Sequence, residues 1–504
     1  MKEVECMNKI LNIVTSKGLT YEQKVVALAH AAENSLEVLS IPEKTRRYMD
    51  IGAICDLDEG HAPYRPRYVM PDYEKAVKTG CEFLQLEAPK DLDEVLQFLT
   101  ILYRHVPSIT SYPVYLGNID KLIEPFLDGV TDEEAEKKLK LFLVYLDRTI
   151  TDGFCHANLG PEETRAGTLI LKLEKELQNA VPNLTLKYDR DITPDSYAEL
   201  ALYTSLYCAN PAVCNHRMHK DTYGDYGISS CYNILPVGGG SYTLVRIVLP
   251  KLASEAENKE QFLSKLLPDC LDSMGNYMNE RIRFLVEESN FFETSFLARE
   301  GFISRDKFLA MFGVVGLAEC TNMLMEDGEK TYGRREEADD LAEQIMEVIA
   351  DYAKTAKALY SEVFDFHFAL HAQVGIDSDH GITSGVRIPV GMEPDCMYDH
   401  LRHSARFHKF FPTGCADIFS FDPTARNNPA AMLDIVKGAF SLGDKYISFY
   451  ASDSDLVRIT GYLVKRSEME KYYEGEAVLQ NTVHLGGDNY RNAHLENRKV
   501  RALT

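Results

Sequence analysis

Leu456-Val457-Arg458-Ile459-Thr460-Gly461-Tyr462-Leu463-Val464 is an apolar, β-branched run interrupted by one glycine. Glycine in a strand-like segment weakens it and packs nothing, so it marks a bulge, a bend or the close approach of another group. A chemical reading stands beside that one. A Cα between an amide nitrogen and a carbonyl, with no side chain preventing planarity, can hold an unpaired electron delocalised over both, and only glycine permits that geometry. Upstream by 461 − 231 = 230 residues lies Asp225-Tyr226-Gly227-Ile228-Ser229-Ser230-Cys231-Tyr232, which carries a thiol. A thiol hydrogen is weak enough for nearly balanced exchange with such a radical.

The 504 residues suffice for a large core, either as several domains or as one α/β barrel. A formal net charge of −23 argues against nucleic acid or an anionic membrane, which need a basic face, and favours a small-molecule substrate. The start, MKEVECMNKILNIV, lacks the apolar core of a signal peptide, and no run approaches the ~18 apolar residues of a membrane span. A cytoplasmic location is expected. Eleven cysteines are scattered singly from Cys6 to Cys415 without any C-x-x-C, which reads as reduced thiols and not as a zinc ribbon or iron–sulfur site.

The first third carries helical periodicity: Thr20 with Gln23 and Thr131 with Glu134 have capping-box spacing, and Leu92 to Tyr103 repeats apolar residues at helical intervals. The middle alternates short apolar runs with helices, as α/β folds do. Pro182 to Leu186 reads as a strand, Thr193-Pro194 opens a helix through Leu206, and Asn210 to Asp225 reads as a polar loop delivering Cys231. Ser304 to Met325 reads as a helix capped by Ser304 and stopped near Gly328, with Gly313 and Gly316 packed closely on a neighbour. Phe364 to Met392 becomes strands and glycine-rich turns, Phe410 to Pro429 is loop-rich, and Ala430 to Phe440 reads as a short helix. The polar tail after Tyr473 gives no firm structure. A soft boundary near residue 440 separates 1–440 from a C-terminal subdomain, 441–504.

The stretch around Gly461 resembles the radical-bearing loop of the glycyl radical enzymes: Arg458, an apolar residue, a small residue, Gly461, then Tyr462. The stretch around Cys231 is similar to that family's cysteine loop. The layout from Pro182-Asn183-Leu184-Thr185 to Cys231 also resembles pyruvate formate-lyase, as do Phe292-Glu293-Thr294-Ser295 and the later Gly313-Val314-Val315-Gly316-Leu317. Residues 150 to 465 are covered, most similar to the YjjI-type branch. The resemblance implies a ten-stranded β/α barrel of two half-barrels surrounded by helices, with cysteine and glycine finger loops meeting inside. It implies that Gly461 stores a radical, supported by Arg458 and Tyr462, and that Cys231 becomes the thiyl radical that takes hydrogen from a small polar substrate without oxygen. No other bound cofactor is implied. A separate radical-SAM activating enzyme using S-adenosylmethionine is the expected partner, and a homodimer is one assembly this reading allows.

Departures narrow the chemistry. Ser230 stands where pyruvate formate-lyase has a second cysteine, so acyl transfer is not expected; Asn233 replaces the glutamate base of the radical dehydratases; and no cysteine follows Cys415, unlike the ribonucleotide reductases. His216, Arg217, His219 and Asp221, in the polar stretch ahead of Cys231, are candidate pocket residues, with a histidine or Asp221 as acid–base group and Arg217 or Lys220 holding an anion. Asn233, His156, Asn158 and His371 with Asp377 complete the candidates. Two other readings stand against the radical one: a metal-dependent hydrolase or lyase using His216 and His219, and a barrel that has lost its chemistry.

Overall fold

Two short segments set the architecture. His156-Ala157-Asn158-Leu159 and Asn183-Leu184-Thr185-Leu186-Lys187-Tyr188 alternate polar and apolar residues, yet all of them are buried. Successive side chains of a strand face opposite ways, so a wholly buried alternating strand needs helices on its apolar side and polar partners on the other. Both are present. Leu184 and Leu186 join the main core with Leu169 and Leu202 of the helices Arg165–Leu177 and Asp195–Cys208, and the polar side chains point into a barrel.

The computed structural model describes residues 2–57, 59–325, 331–373, 375–376 and 379–503. Its strands, in chain order, are β1 (Ile54–Cys55), β2 (Tyr68–Met70), β3 (Tyr115–Asn118), β4 (His156–Leu159), β5 (Asn183–Tyr188), β6 (Ala212–Asn215), β7 (Tyr226–Ser229) and β8 (Asn233–Pro236). They continue with β9 (Gly239–Val248), β10 (Phe308–Val315), β11 (Phe368–Ala372), β12 (Asp417–Phe421), β13 (Tyr446–Ala451), β14 (Leu456–Arg458), β15 (Leu463–Lys465) and β16 (Val500–Arg501).

Strands β3 to β6 run parallel, and β9 to β11 form a second parallel set. The sets face opposite ways where they meet: β6 pairs antiparallel with β13, and β2 antiparallel with β9. β12 lies parallel to β13, and the segment ahead of β12 reaches β11 through Ala372 N–H to the Gly414 carbonyl at 3.0 Å. With β2 beside β3, the ring closes as two half-barrels, β2 to β6 and β9 to β13. That is the ten-stranded α/β barrel expected. The hairpins β7–β8 and β14–β15 belong to neither sheet.

Four segments differ from the sequence reading, one being the loop-rich stretch Phe410 to Pro429, whose prolines and glycine flank the barrel strand β12 instead of replacing it. Ser304 to Met325 is not one helix: Phe308–Val315 is the central strand β10, and only Leu317–Leu324 is helical. Its continuous apolar run is buried on both faces, and in such a run period cannot separate strand from helix. The expected close packing is there, since a Cβ on Gly313 would lie 2.7 Å from the Arg246 Cβ; Gly328 lies outside the described residues. Asn210 to Asp225 is not a loop but β6 followed by the helix His216–Tyr223. The tail after Tyr473 is ordered as the helix Thr482–Asn492 and β16, which pairs with β12. The predicted helix at Leu92 is present as Leu92–Arg104, and Thr20 with Gln23 forms the full reciprocal capping box. Among the described residues no helix is long and apolar enough to cross a membrane.

Candidate active site

The two hairpins meet at their tips inside the barrel. In β7–β8 the last pair is Ser229 opposite Asn233, so Ser230, Cys231 and Tyr232 form the turn, with Ser230 at φ +55°. In β14–β15 the last pair is Arg458 opposite Leu463, leaving Ile459 to Tyr462 as the turn. A Cβ placed on Gly461 would lie 2.4 Å from the Cys231 Cβ, 2.7 Å from Cδ1 of Tyr232 and 2.8 Å from the Cys231 carbonyl carbon. The φ of Gly461 is outside the left-handed range. Space, not torsion, therefore demands glycine here, and the bulge reading gives way to a tip pressed against a second tip.

Both tips are held by their peptide groups. The Gly461 carbonyl accepts from Nδ2 of Asn183 at 2.6 Å and from Nη1 of Arg458 at 3.1 Å, while Arg458 Nε donates to the Ala209 carbonyl at 2.8 Å. Arg498 holds the hairpin from the other side, donating to the carbonyls of Arg458 at 3.0 Å and Ile459 at 3.4 Å. Tyr462 is fully buried, its ring 4.7 Å from that of Phe154. Asn183 comes from the inward face of β5, whose period places Thr185 and Lys187 on the same side.

The cysteine hairpin is held likewise. Asn158 on β4 grips Ile228 twice, donating from Nδ2 to its carbonyl at 2.9 Å and accepting its N–H at 2.8 Å. Nδ1 of His156 is 2.8 Å from the Ser230 carbonyl and its Nε2 is 2.7 Å from Thr185 Oγ1; Lys187 Nζ donates to the Tyr226 carbonyl at 2.6 Å. His156 and Asn158, expected in a substrate pocket, are thus supports of the hairpin's main chain. Replacing Asn158 by Ala strands a buried N–H and a buried C=O, at a cost of about 1–3 kcal/mol. Urea unfolding should show that loss, and turnover should fall ~10-fold or more as the tip shifts.

Burial pushes the Cys231 thiol up to about 11, against the opposing influence of the Thr460 and Ser230 hydroxyls and the Gly461 N–H. At neutral pH it keeps its hydrogen. Burial also lowers His156 to about 3 from 6.5. The folded state therefore holds it neutral while the unfolded chain takes a proton below pH 6.5, so its contribution is intact above that value and is lost as pH falls toward 3. The stability advantage of wild type over His156→Gln should shrink by about 1.4 kcal/mol per pH unit below that point, read from denaturant midpoints at pH 7, 6 and 5.

His371 and Asn233 lie beside the tips. The His371 ring stacks 5.4 Å from that of Tyr232, and its Nδ1 is 3.0 Å from the Thr413 carbonyl; Asp377 lies outside the described residues. Asn233 donates from Nδ2 to the Ser229 carbonyl at 3.1 Å. The residues expected to reach the pocket from 216 to 221 do not reach it. They sit on the helix His216–Tyr223, at the base of the hairpin: His216 Nδ1 is 2.9 Å from the Tyr226 hydroxyl, His219 Nε2 is 3.3 Å from the Lys445 carbonyl, and Arg217 pairs with Asp189 at 3.2 Å and with Asp191. Asp221 and Lys220 are exposed. Among the described residues no three potential metal ligands converge there.

A cavity of about 740 Å³ runs to the glycine tip, with Ile459 and Thr460 in its wall. Arg387, Ser384, His400 and Asn489 line it, and none of these was singled out by the sequence reading. Both nitrogens of His400 are committed: Arg501 donates to Nδ1 at 3.1 Å, leaving Nε2–H to donate to Asp417 at 2.9 Å. It is a wall group, not a free base.

Comparison with known proteins gives the family and the fold. The glycyl radical enzyme YjjI-like family model matches residues 19–501. A Haemophilus influenzae protein is 43% identical over 505 residues, covering 98% of each chain, and YjjI of Escherichia coli is 42% identical over 496 residues, covering 98% of this chain and 95% of its own. The fold is shared with the anaerobic ribonucleotide reductase of Thermotoga maritima in complex with dATP and CTP, at a TM-score of 0.71, 14% identity and coverage of 93% and 98%. It is also shared with hydroxyproline dehydratase of Clostridioides difficile, at 0.63, 11% identity and coverage of 99% and 89%. The chain belongs to the YjjI-like glycyl radical enzyme family.

Proposed function

We propose that Gly461 stores a backbone radical and that Cys231 is the group that takes hydrogen from substrate. The observation carrying this reading is the contact between the tips, where nothing larger than the glycine hydrogen fits against Cys231. The exchange is a single hydrogen transfer: the Cys231 S–H bond breaks, a Cα–H bond forms on Gly461, and the unpaired electron moves to sulfur. The sulfur then takes hydrogen from a substrate C–H bond, leaving the electron on carbon, and returns a hydrogen after the substrate has rearranged. Two features of the residues support the thiol's part: its burial keeps the hydrogen on sulfur, and enclosure excludes water from reactive intermediates.

Ser230 offers no second thiol for acyl transfer, and Asn233, bonded to the Ser229 carbonyl, offers no carboxylate. The reaction is an anaerobic rearrangement or elimination of a small polar molecule, using another proton acceptor or none. The metal reading finds no support at His216 and His219, whose rings are tied to Tyr226 and Lys445. The radical is installed by a separate S-adenosylmethionine-dependent activating enzyme. To be reached, Gly461 must leave Asn183 and the cysteine tip, so the β14–β15 hairpin must swing out with its C-terminal supports. The enzyme works in the cytoplasm, where its cysteines stay reduced.

Electron paramagnetic resonance after incubation with activase and S-adenosylmethionine, followed by air and mass spectrometry, tests the reading. A glycyl signal and oxygen-dependent scission at Gly461 are expected. An intact chain without signal, beside a demonstrably competent activase, overturns it.

A further inference from the structure

The cavity wall contains, beside the tips, a cation that the fold leaves partly unused. Arg387 donates from Nε to the Ala416 carbonyl at 2.7 Å, and its guanidinium carbon stands 5.6 Å over the ring centre of Tyr232, the residue after Cys231. One terminal nitrogen, Nη2, is buried without a hydrogen-bond partner. No carboxylate of the described residues pairs with it. Asp417, on the same wall, is engaged by His400, by the Ser404 hydroxyl at 2.5 Å and by the Ile418 N–H at 2.7 Å. Of the other charged groups of this wall, Arg498 is committed to main-chain carbonyls of the glycine hairpin, Glu319 to Thr383 and Glu393 to the Gly391 and Lys499 N–H groups, while Lys251 is exposed to solvent. A buried guanidinium donor with no acceptor is costly, so the side chain gains when it turns Nη2 toward an acceptor held in the cavity.

Resting on the reading of the two tips as the reacting groups, we infer that Arg387 is the substrate-binding residue for an anionic group, a carboxylate or a phosphate ester. The anion docks on the Arg387 guanidinium from the cavity that Arg387 and Thr460 both line, and the seat of that guanidinium over Tyr232 sets the bound molecule next to the cysteine tip. Arginine suits this role because its planar fork stays charged when desolvated and matches the paired oxygens of such anions. The residues given this task from sequence, Arg217 and Lys220, lie on the outer helix.

Calorimetric titration of the unactivated protein with glycerate, glycerol 3-phosphate and glycerol tests this without any radical. At least one anion should bind, more tightly than glycerol, with an affinity at least tenfold weaker in Arg387→Gln and less weakened in Arg387→Lys. Preference for glycerate identifies the carboxylate, and preference for glycerol 3-phosphate the phosphate. Equal affinity for the wild type and Arg387→Gln, or no anion held more tightly than glycerol, overturns the inference. Melting curves identify a misfolded variant, and a crystal structure of the wild type with the bound anion decides independently: density away from Arg387 also overturns it. Because no radical is involved, a missing glycyl signal would condemn the radical reading and leave these affinities as they are.

Discussion

Cys231→Ala is expected to lower turnover by ~10³-fold or more while leaving the activase-dependent glycyl signal in place. The variant separates storage from use. Among the described residues Cys231 is the thiol whose Cβ meets Gly461, so no neighbour inherits its task, and Gly461 itself is untouched. Loss of one buried sulfur costs about 1–2 kcal/mol of stability, a melting shift too small to unfold the barrel. Retained turnover would remove Cys231 from the chemistry. Loss of the signal together with turnover would show that the thiol is needed to form or keep the radical.

Gly461→Ala should abolish the signal, the oxygen-dependent scission and turnover together. From sequence alone this substitution is expected to leave folding intact, and the structure adds a local clash to that expectation. The new methyl would sit 2.4 Å from the Cys231 Cβ and 2.8 Å from its carbonyl carbon, neither of which is the end of a flexible chain. The hairpins must part, at a cost of about 1–3 kcal/mol. Lost activity in this variant is therefore explained by displacement as well as by chemistry. The decisive readout is scission: wild-type protein exposed to air should break at Gly461, and Gly461→Ala, activated identically, should remain whole.

The reacting pair was legible because its chemistry leaves short signatures: a glycine no side chain can replace, and a cysteine after a strand. The alternation of His156, Asn158, Asn183, Thr185 and Lys187 was equally visible as a pattern. Its meaning was not, because His156, Asn158, Asn183 and Lys187 find their partners on the main chains of hairpins 39 to 278 residues further along, and Thr185 bridges His156 and Tyr446. Arg387 and Arg498 carried no local signal at all; barrel closure and the returning tail bring them to the tips. The tail itself is polar, and its helix Thr482–Asn492 is ordered by docking: Asn489 reaches the Gly375 carbonyl at 2.8 Å, and a Cβ on Gly486 would lie 2.5 Å from Val464. Phe308–Val315 failed for the opposite reason, being apolar on both faces.

The barrel grips both hairpins through peptide groups: Asn183 at Gly461, Asn158 at Ile228, Lys187 at Tyr226. Frame and chemistry are therefore inherited separately. Descendants of such a chain can exchange Ser230, Asn233, Thr460 or Arg387 and acquire another substrate without relearning how to fold, whereas a change at Asn158 or Asn183 is exposed to selection whatever the reaction. Divergence should accumulate along the cavity and stop at the inward face of β4 and β5.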